Sequence, residues 1–162
     1  MVGPGESNRC SVLKYIREMV QDHIFEKKIV INSPTSEVWR ALTEPAVMNR
    51  WMSETELEIV TDWRVGGPIM ISGALYKKLF ENRGIVSVFD VERELEYSHL
   101  SSLSRLEDRV ENYCVINFCL EADGAQTLLL LTIRNFPMET IYKHMAFYWG
   151  VAVELMRREV EG

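Results

Sequence analysis

The sequence predicts an α+β fold in which an antiparallel sheet is packed against one long C-terminal helix. Two observations carry that prediction. Near the C-terminus, Met138, Tyr142, Met145, Ala146, Trp149, Val153, Met156 and Val160 fall on a single stripe at 100° per residue. Ile141, Tyr148, Ala152 and Leu155 widen it, while Glu139, Lys143, Glu154, Arg157 and Arg158 take the opposite face. So broad an apolar face needs a large partner surface, and a curved sheet supplies one. The second observation is the order of patterns: strand, two helices, about six strands, then the long helix, which is the order of an α+β domain.

In chain order, residues 1–6 read as a disordered start. Val12, Tyr15, Ile16, Met19 and Val20 stand at helical spacing and predict a helix from Ser7 to about Gln21, docked on the body. The stretch 25–32 alternates and predicts a first strand. Ser33-Pro34-Thr35 opens a helix carrying Val38, Trp39, Ala41 and Leu42, which must stop near Thr43 ahead of Pro45. Ala46 to Met52 predicts a short second helix. Strands follow at Leu57–Thr61, Ile69–Leu75, Gly84–Phe89 and Leu95–Leu100, with a turn or bulge at Gly66-Gly67 and a turn at Asp90–Arg93. Leu103–Glu111 reads as a polar loop. Tyr113–Glu121 and Gln126–Arg134 form a hairpin around Asp123-Gly124. The closing helix is expected from Met138 to Val160, entered through Pro137.

At 162 residues the chain is long enough for one core without disulfides or metal. A net charge of −6 argues against nucleic acid, whose phosphates call for a basic footprint. No apolar run reaches the length of a membrane span and no signal-peptide pattern opens the chain. Cys10, Cys114 and Cys119 are an odd set, and an odd separation on one strand would send the last two to opposite faces. A reducing cytoplasm is the expected setting.

The stretches EVWRALTEPAVMNRW, WRVGGPI and RGIVSVFDVERELEYSHLS, with the closing helix and its Trp149, resemble the SRPBCC (START-like) superfamily. Within it they resemble the AHSA-type group, named after activators of a heat-shock chaperone's ATPase. The likeness runs from about Phe25 to Glu161, so residues 1–24 are an N-terminal extension and 25–162 one domain. It implies a helix-grip fold, with a curved sheet around the final helix and an apolar cavity between them. His99 stands where that group often carries Trp, and Asp90–Arg93 lacks the prolines common there.

No catalytic constellation emerges. His23, His99 and His144 have no metal-ligand spacing, and Gly66-Gly67 lacks both Walker and dinucleotide signatures. Glu94 and Glu96 share a solvated strand face, and no nucleophile elbow surrounds Ser101, Ser102 or Ser104. The residues read as candidate ligand-binding groups are Trp51, Tyr97, His99, Tyr113, Tyr142, Met145 and Trp149. The expectation is a non-catalytic binder of a small hydrophobic or amphipathic molecule, with no cofactor and no metal. A protein-interaction module is the alternative, supported by the acidic surface and Phe147, and an enzyme using the same cavity ranks third. An acidic ligand whose polar end meets His99 would bind more tightly as pH falls through an ordinary histidine pKa near 6.5.

Overall fold

The computed structural model describes residues 23–162, so the helix expected at 7–21 and Cys10 lie outside the described residues. Strand β1 (Phe25–Ile31) leads into helices α1 (Thr35–Thr43) and α2 (Pro45–Met52). Strands β2 (Glu58–Thr61), β3 (Pro68–Leu75), β4 (Lys78–Asp90) and β5 (Glu94–Ser101) follow. After two single-turn 3-10 segments come β6 (Cys114–Asp123), β7 (Gln126–Arg134) and the long helix α3 (Glu139–Glu161). The strands form one seven-stranded sheet in the order β1-β7-β6-β5-β4-β3-β2, antiparallel at every pairing. With α3 packed on one face, this is the helix-grip architecture.

Alternation decides which side chains face the helix. Leu95 pairs with Phe118 and Tyr97 with Ile116, and all four are buried. Phe118 pairs in turn with Leu131, and Leu131 with Lys27 of β1. Lys27 is the polar exception at that end: its Nζ donates to the Gly150 carbonyl at 3.4 Å and lies 3.6 Å from Glu154, both on α3. The helix is held at its far end as well, where the Asn32 N–H donates to Glu161 Oε1 at 2.8 Å and Arg50 pairs with Glu159 at 3.1 Å. α1 begins on the carbonyl of Pro34, which accepts the N–H groups of Glu37 and Val38. α2 begins on Pro45, whose missing N–H costs nothing at a first helical position.

The sheet bends where β4 crosses β5. A Cβ at Gly84 would stand 1.6 Å from the Ser98 carbonyl oxygen, so only glycine admits this approach. The Ile85 N–H donates instead to Ser98 Oγ at 2.9 Å, and the β4–β5 register shifts between Val86 and Val88. Such irregularities re-aim a strand and increase its twist. The Gly66-Gly67 segment is a turn that clasps β4: the Gly66 N–H donates to the Val86 carbonyl and the Val86 N–H to the Gly67 carbonyl. Gly66 has φ +84°, a conformation other residues enter only at a cost.

Two boundaries and one burial depart from expectation. β4 starts at Lys78 rather than Gly84, because its first half pairs with β3 while exposing Lys78, Leu79 and Arg83, which hides any apolar alternation. Met138 precedes α3 in extended conformation and is exposed, outside the stripe assigned to it. Leu155 is also exposed, on the side of the helix away from the sheet.

Candidate functional site

The centre of the concave face is an aromatic cluster. Trp51, in the last turn of α2, is buried, and its Nε1–H donates to the Ala41 carbonyl at 2.9 Å. That bond satisfies the one polar group the indole carries. Its ring centroid lies 6.1 Å from that of Trp149 on α3. Phe118 meets Trp149 edge-on at 5.6 Å, and Tyr97 tilts against Phe118 at 6.4 Å. Tyr148 stands edge-on to Trp149 at 5.2 Å, and its hydroxyl donates to the Met52 carbonyl at 2.8 Å. Met145 is buried on the same helix face. The structure therefore brings Trp51, Tyr97, Met145 and Trp149 into one core, together with Phe118 and Tyr148. The alternation of Cys114, Ile116, Phe118 and Leu120 was the signal for Phe118. Tyr148 was visible only as a flank of the helix stripe.

The remaining three expected residues are placed differently. His99 follows Tyr97 on the inner face, pairs with Cys114 and is partly buried. Burial, and to a lesser extent the nearby His144 of α3, push its pKa down to about 4. His99 is therefore neutral throughout the physiological range. Tyr142 packs edge-on against Phe136 and against His23, each at 5.0 Å, away from the tryptophan pair. Tyr113 precedes β6, and its hydroxyl donates to Asp108 at 2.6 Å. Burial and Asp108 together raise its pKa to about 12. Arg83 also reaches Asp108, at 3.3 Å, so Tyr113 fastens the segment before β6 to the exposed side of β4.

One group was not anticipated. Asn82 pairs with Ile71 on β3 and with Ser101 on β5, in the half of β4 that the sequence concealed. Its Oδ1 is shut off from solvent and has no hydrogen-bond partner. An unsatisfied buried acceptor costs about 1–3 kcal/mol and calls for a donor. Phe80, two positions earlier on β4, lines an open depression of about 770 Å³ together with Leu57, Gly73, Glu56, Glu81 and Ser102.

The outer face of the sheet carries a fully connected polar cluster. Asn117 Nδ2 donates to Glu94 at 2.8 Å and to Glu96 at 2.9 Å, and Arg134 reaches Glu96 at 3.1 Å. Burial pushes the Glu96 carboxyl up, but hydrogen bonds from Arg134, Asn117 and Ser87 outweigh it and hold the pKa below the usual value. Glu96 is thereby held as an ionised acceptor rather than a general acid. Cys114 is buried, with its thiol pushed up to about 12 by burial, and both Cys114 and Cys119 are free. Among the described residues no group of His, Cys, Asp and Glu could hold a metal ion, and no helix is long and apolar enough to cross a membrane.

The family profile described as "Activator of Hsp90 ATPase homolog 1-like protein" matches residues 32–161. The chain belongs to that family. Its fold is shared with the solution structure of ChR145 from Cytophaga hutchinsonii, at 31% identity and a TM-score of 0.71 over 86% of this chain and 94% of that one. The Aha1 dimer from Colwellia psychrerythraea, another solution structure, superposes with a TM-score of 0.67 at 18% identity, over 86% of this chain and 96% of that one. CalU16 from Micromonospora echinospora does so at 0.60 and 23%, over 85% of this chain and 74% of that one. No curated protein matches the sequence significantly. A fold of this Hsp90-activator-like family is compatible with ligand binding and with an interaction module.

Proposed function

We propose that the protein is a non-catalytic binder of a small amphipathic molecule, held between the sheet and α3 with its polar end at Asn82. The observation that carries this reading is the buried, partnerless Oδ1 of Asn82, which stands between Ile71 of β3 and Ser101 of β5. A hydroxyl or N–H of the ligand would donate to that oxygen, while its apolar body would lie along the inner face towards Tyr97 and Trp149. Removing about 100 Å² of apolar ligand surface from water contributes roughly 2.5 kcal/mol before ordering costs, which suits micromolar affinity. The histidine expectation changes with the structure. With its pKa pushed down to about 4, His99 carries no charge between pH 5.5 and 8, so an acid gains nothing there as pH falls. A neutral donor is the better ligand.

The test is a tryptophan-fluorescence titration with neutral alkylphenols and, separately, fatty acids of matching length. The phenols should shift the emission and the fatty acids should bind more weakly, with little change between pH 5.5 and 8. Asn82→Leu should weaken the phenols about tenfold, the value of one buried hydrogen bond. If neither series alters the emission, the reading falls. The competing interaction-module reading draws on the β3–β4 tip, where Tyr76 and Leu79 are 95% and 83% exposed.

A further inference from the structure

Asn82 is not the only polar side chain at its end of the grip. Asn82 pairs with Ser101 and Val86 with Tyr97, ahead of the register shift in β4. Side chains two apart on a strand share a face, so Asn82 stands with Val86, and His99 and Ser101 stand with Tyr97. Gly84 falls opposite His99 and adds no side chain. Burial is graded along this strip. Val86 and Tyr97 are buried, whereas Asn82, His99 and Ser101 are each only partly covered. The inner face therefore passes from a closed apolar centre to three polar groups within a few residues of β4 and β5.

The hydrogen-bonding capacity of these groups is open. Asn82 Oδ1 has no partner, and among the described residues neither ring nitrogen of His99 has one. Ser101 Oγ accepts the Leu103 N–H at 3.3 Å, which leaves its own proton to give. A carboxylate only accepts, so it would leave the Asn82 oxygen unmet. An ammonium only donates, so it would leave the Ser101 proton unmet. A hydroxyl does both, and it also meets either tautomer of a neutral imidazole. Diagonal neighbours on adjacent strands are about 7–8 Å apart, so Asn82 and His99 offer a ligand two separate positions rather than one. Hydroxyls on alternate carbons of a ring point apart, as two positions require, whereas those on neighbouring carbons lie side by side.

We propose that the ligand carries two neutral hydroxyl groups on one ring, of the resorcinol type, one donating to Asn82 Oδ1 and the other meeting His99. This rests on the reading of Asn82 as the polar end of the site, and it adds His99 as a second point of recognition. The apolar chain of such a ligand then runs from the ring towards Tyr97.

The test compares an alkylresorcinol with the alkylphenol of the same chain, by tryptophan-fluorescence titration of the full chain. The resorcinol should bind about tenfold more tightly, the value of one further buried hydrogen bond. In His99→Phe that advantage should fall to about twofold or less. His99→Gln, which keeps a donor and an acceptor, should retain most of it. Urea denaturation of both variants checks that they are folded. Equal affinity of the two ligands for the unaltered chain would overturn the proposal while leaving Asn82 as the polar end. An advantage that survives in folded His99→Phe would overturn it as well. Binding of neither ligand would remove the Asn82 reading itself, and this inference with it.

Discussion

At the scale of single residues, Trp149 and Glu154 show how one helix divides its labour. Trp149 is buried among Phe118, Trp51 and Tyr148, each contact adding about 0.5–1.5 kcal/mol beyond area burial. Trp149→Ala should lower stability by about 3–5 kcal/mol in chemical denaturation. Glu154 pairs with Lys27 and Arg157 on a side chain that stays about a third exposed, so Glu154→Ala should cost about 0.5 kcal/mol. Similar midpoint shifts for the two would contradict the placement of the helix.

His99 gives a pH-dependent signature. Burial holds it neutral down to about pH 4, whereas the unfolded chain takes up the proton near 6.5. Between those values the unfolded state binds more protons, so stability falls as pH drops through the window. Urea denaturation at pH 7 and pH 4.5 should show the native protein losing about 2 kcal/mol more than His99→Phe. Equal losses would mean that the ring is solvated. From sequence alone, His99 could be placed on the inner face by its alternation with Tyr97, but not its protonation state. That depends first on burial in the assembled fold and to a lesser extent on His144, forty-five positions along the chain and brought near only by the fold.

At the scale of elements, β4 is the instructive strand. Its second half was legible because Gly84, Val86 and the turn after Phe89 carry pattern and punctuation. Its first half was not, because Lys78, Leu79 and Arg83 are exposed and the strand is held by pairing with β3 rather than by burial. Asn82 lies in that hidden half, which is why the candidate site's polar end escaped the sequence. The same strand contains the position least tolerant of change. Gly84→Ala would drive a methyl against the Ser98 carbonyl, and we expect a loss of about 3 kcal/mol or failure to fold. Gly150→Ala serves as its control, since nothing lies within 4 Å of a Cβ there and alanine suits a helix better. Comparable losses in thermal unfolding would refute the close β4–β5 crossing as the origin of the bend.

At the scale of the whole molecule, the fold was readable because it rests on long periodic signals. The stripe from Tyr142 to Val160 needed a concave partner, and the strand-rich middle could form one. The candidate site was half readable for the same reason. Trp51, Tyr97, Met145 and Trp149 converge because each sits on an inward period, whereas Tyr113 and Tyr142 answer to Asp108 and Phe136, partners that no local pattern announces. The result is a gripped helix with an apolar centre and, among the described residues, one buried side-chain acceptor without a partner, on β4. The most direct test is a two-dimensional ¹H–¹⁵N NMR titration with a neutral alkylphenol. The account predicts saturable shifts of the Asn82 side-chain amide and the Trp149 indole N–H, with the β3–β4 tip unmoved. Shifts confined to that tip, or none at millimolar phenol, would contradict it.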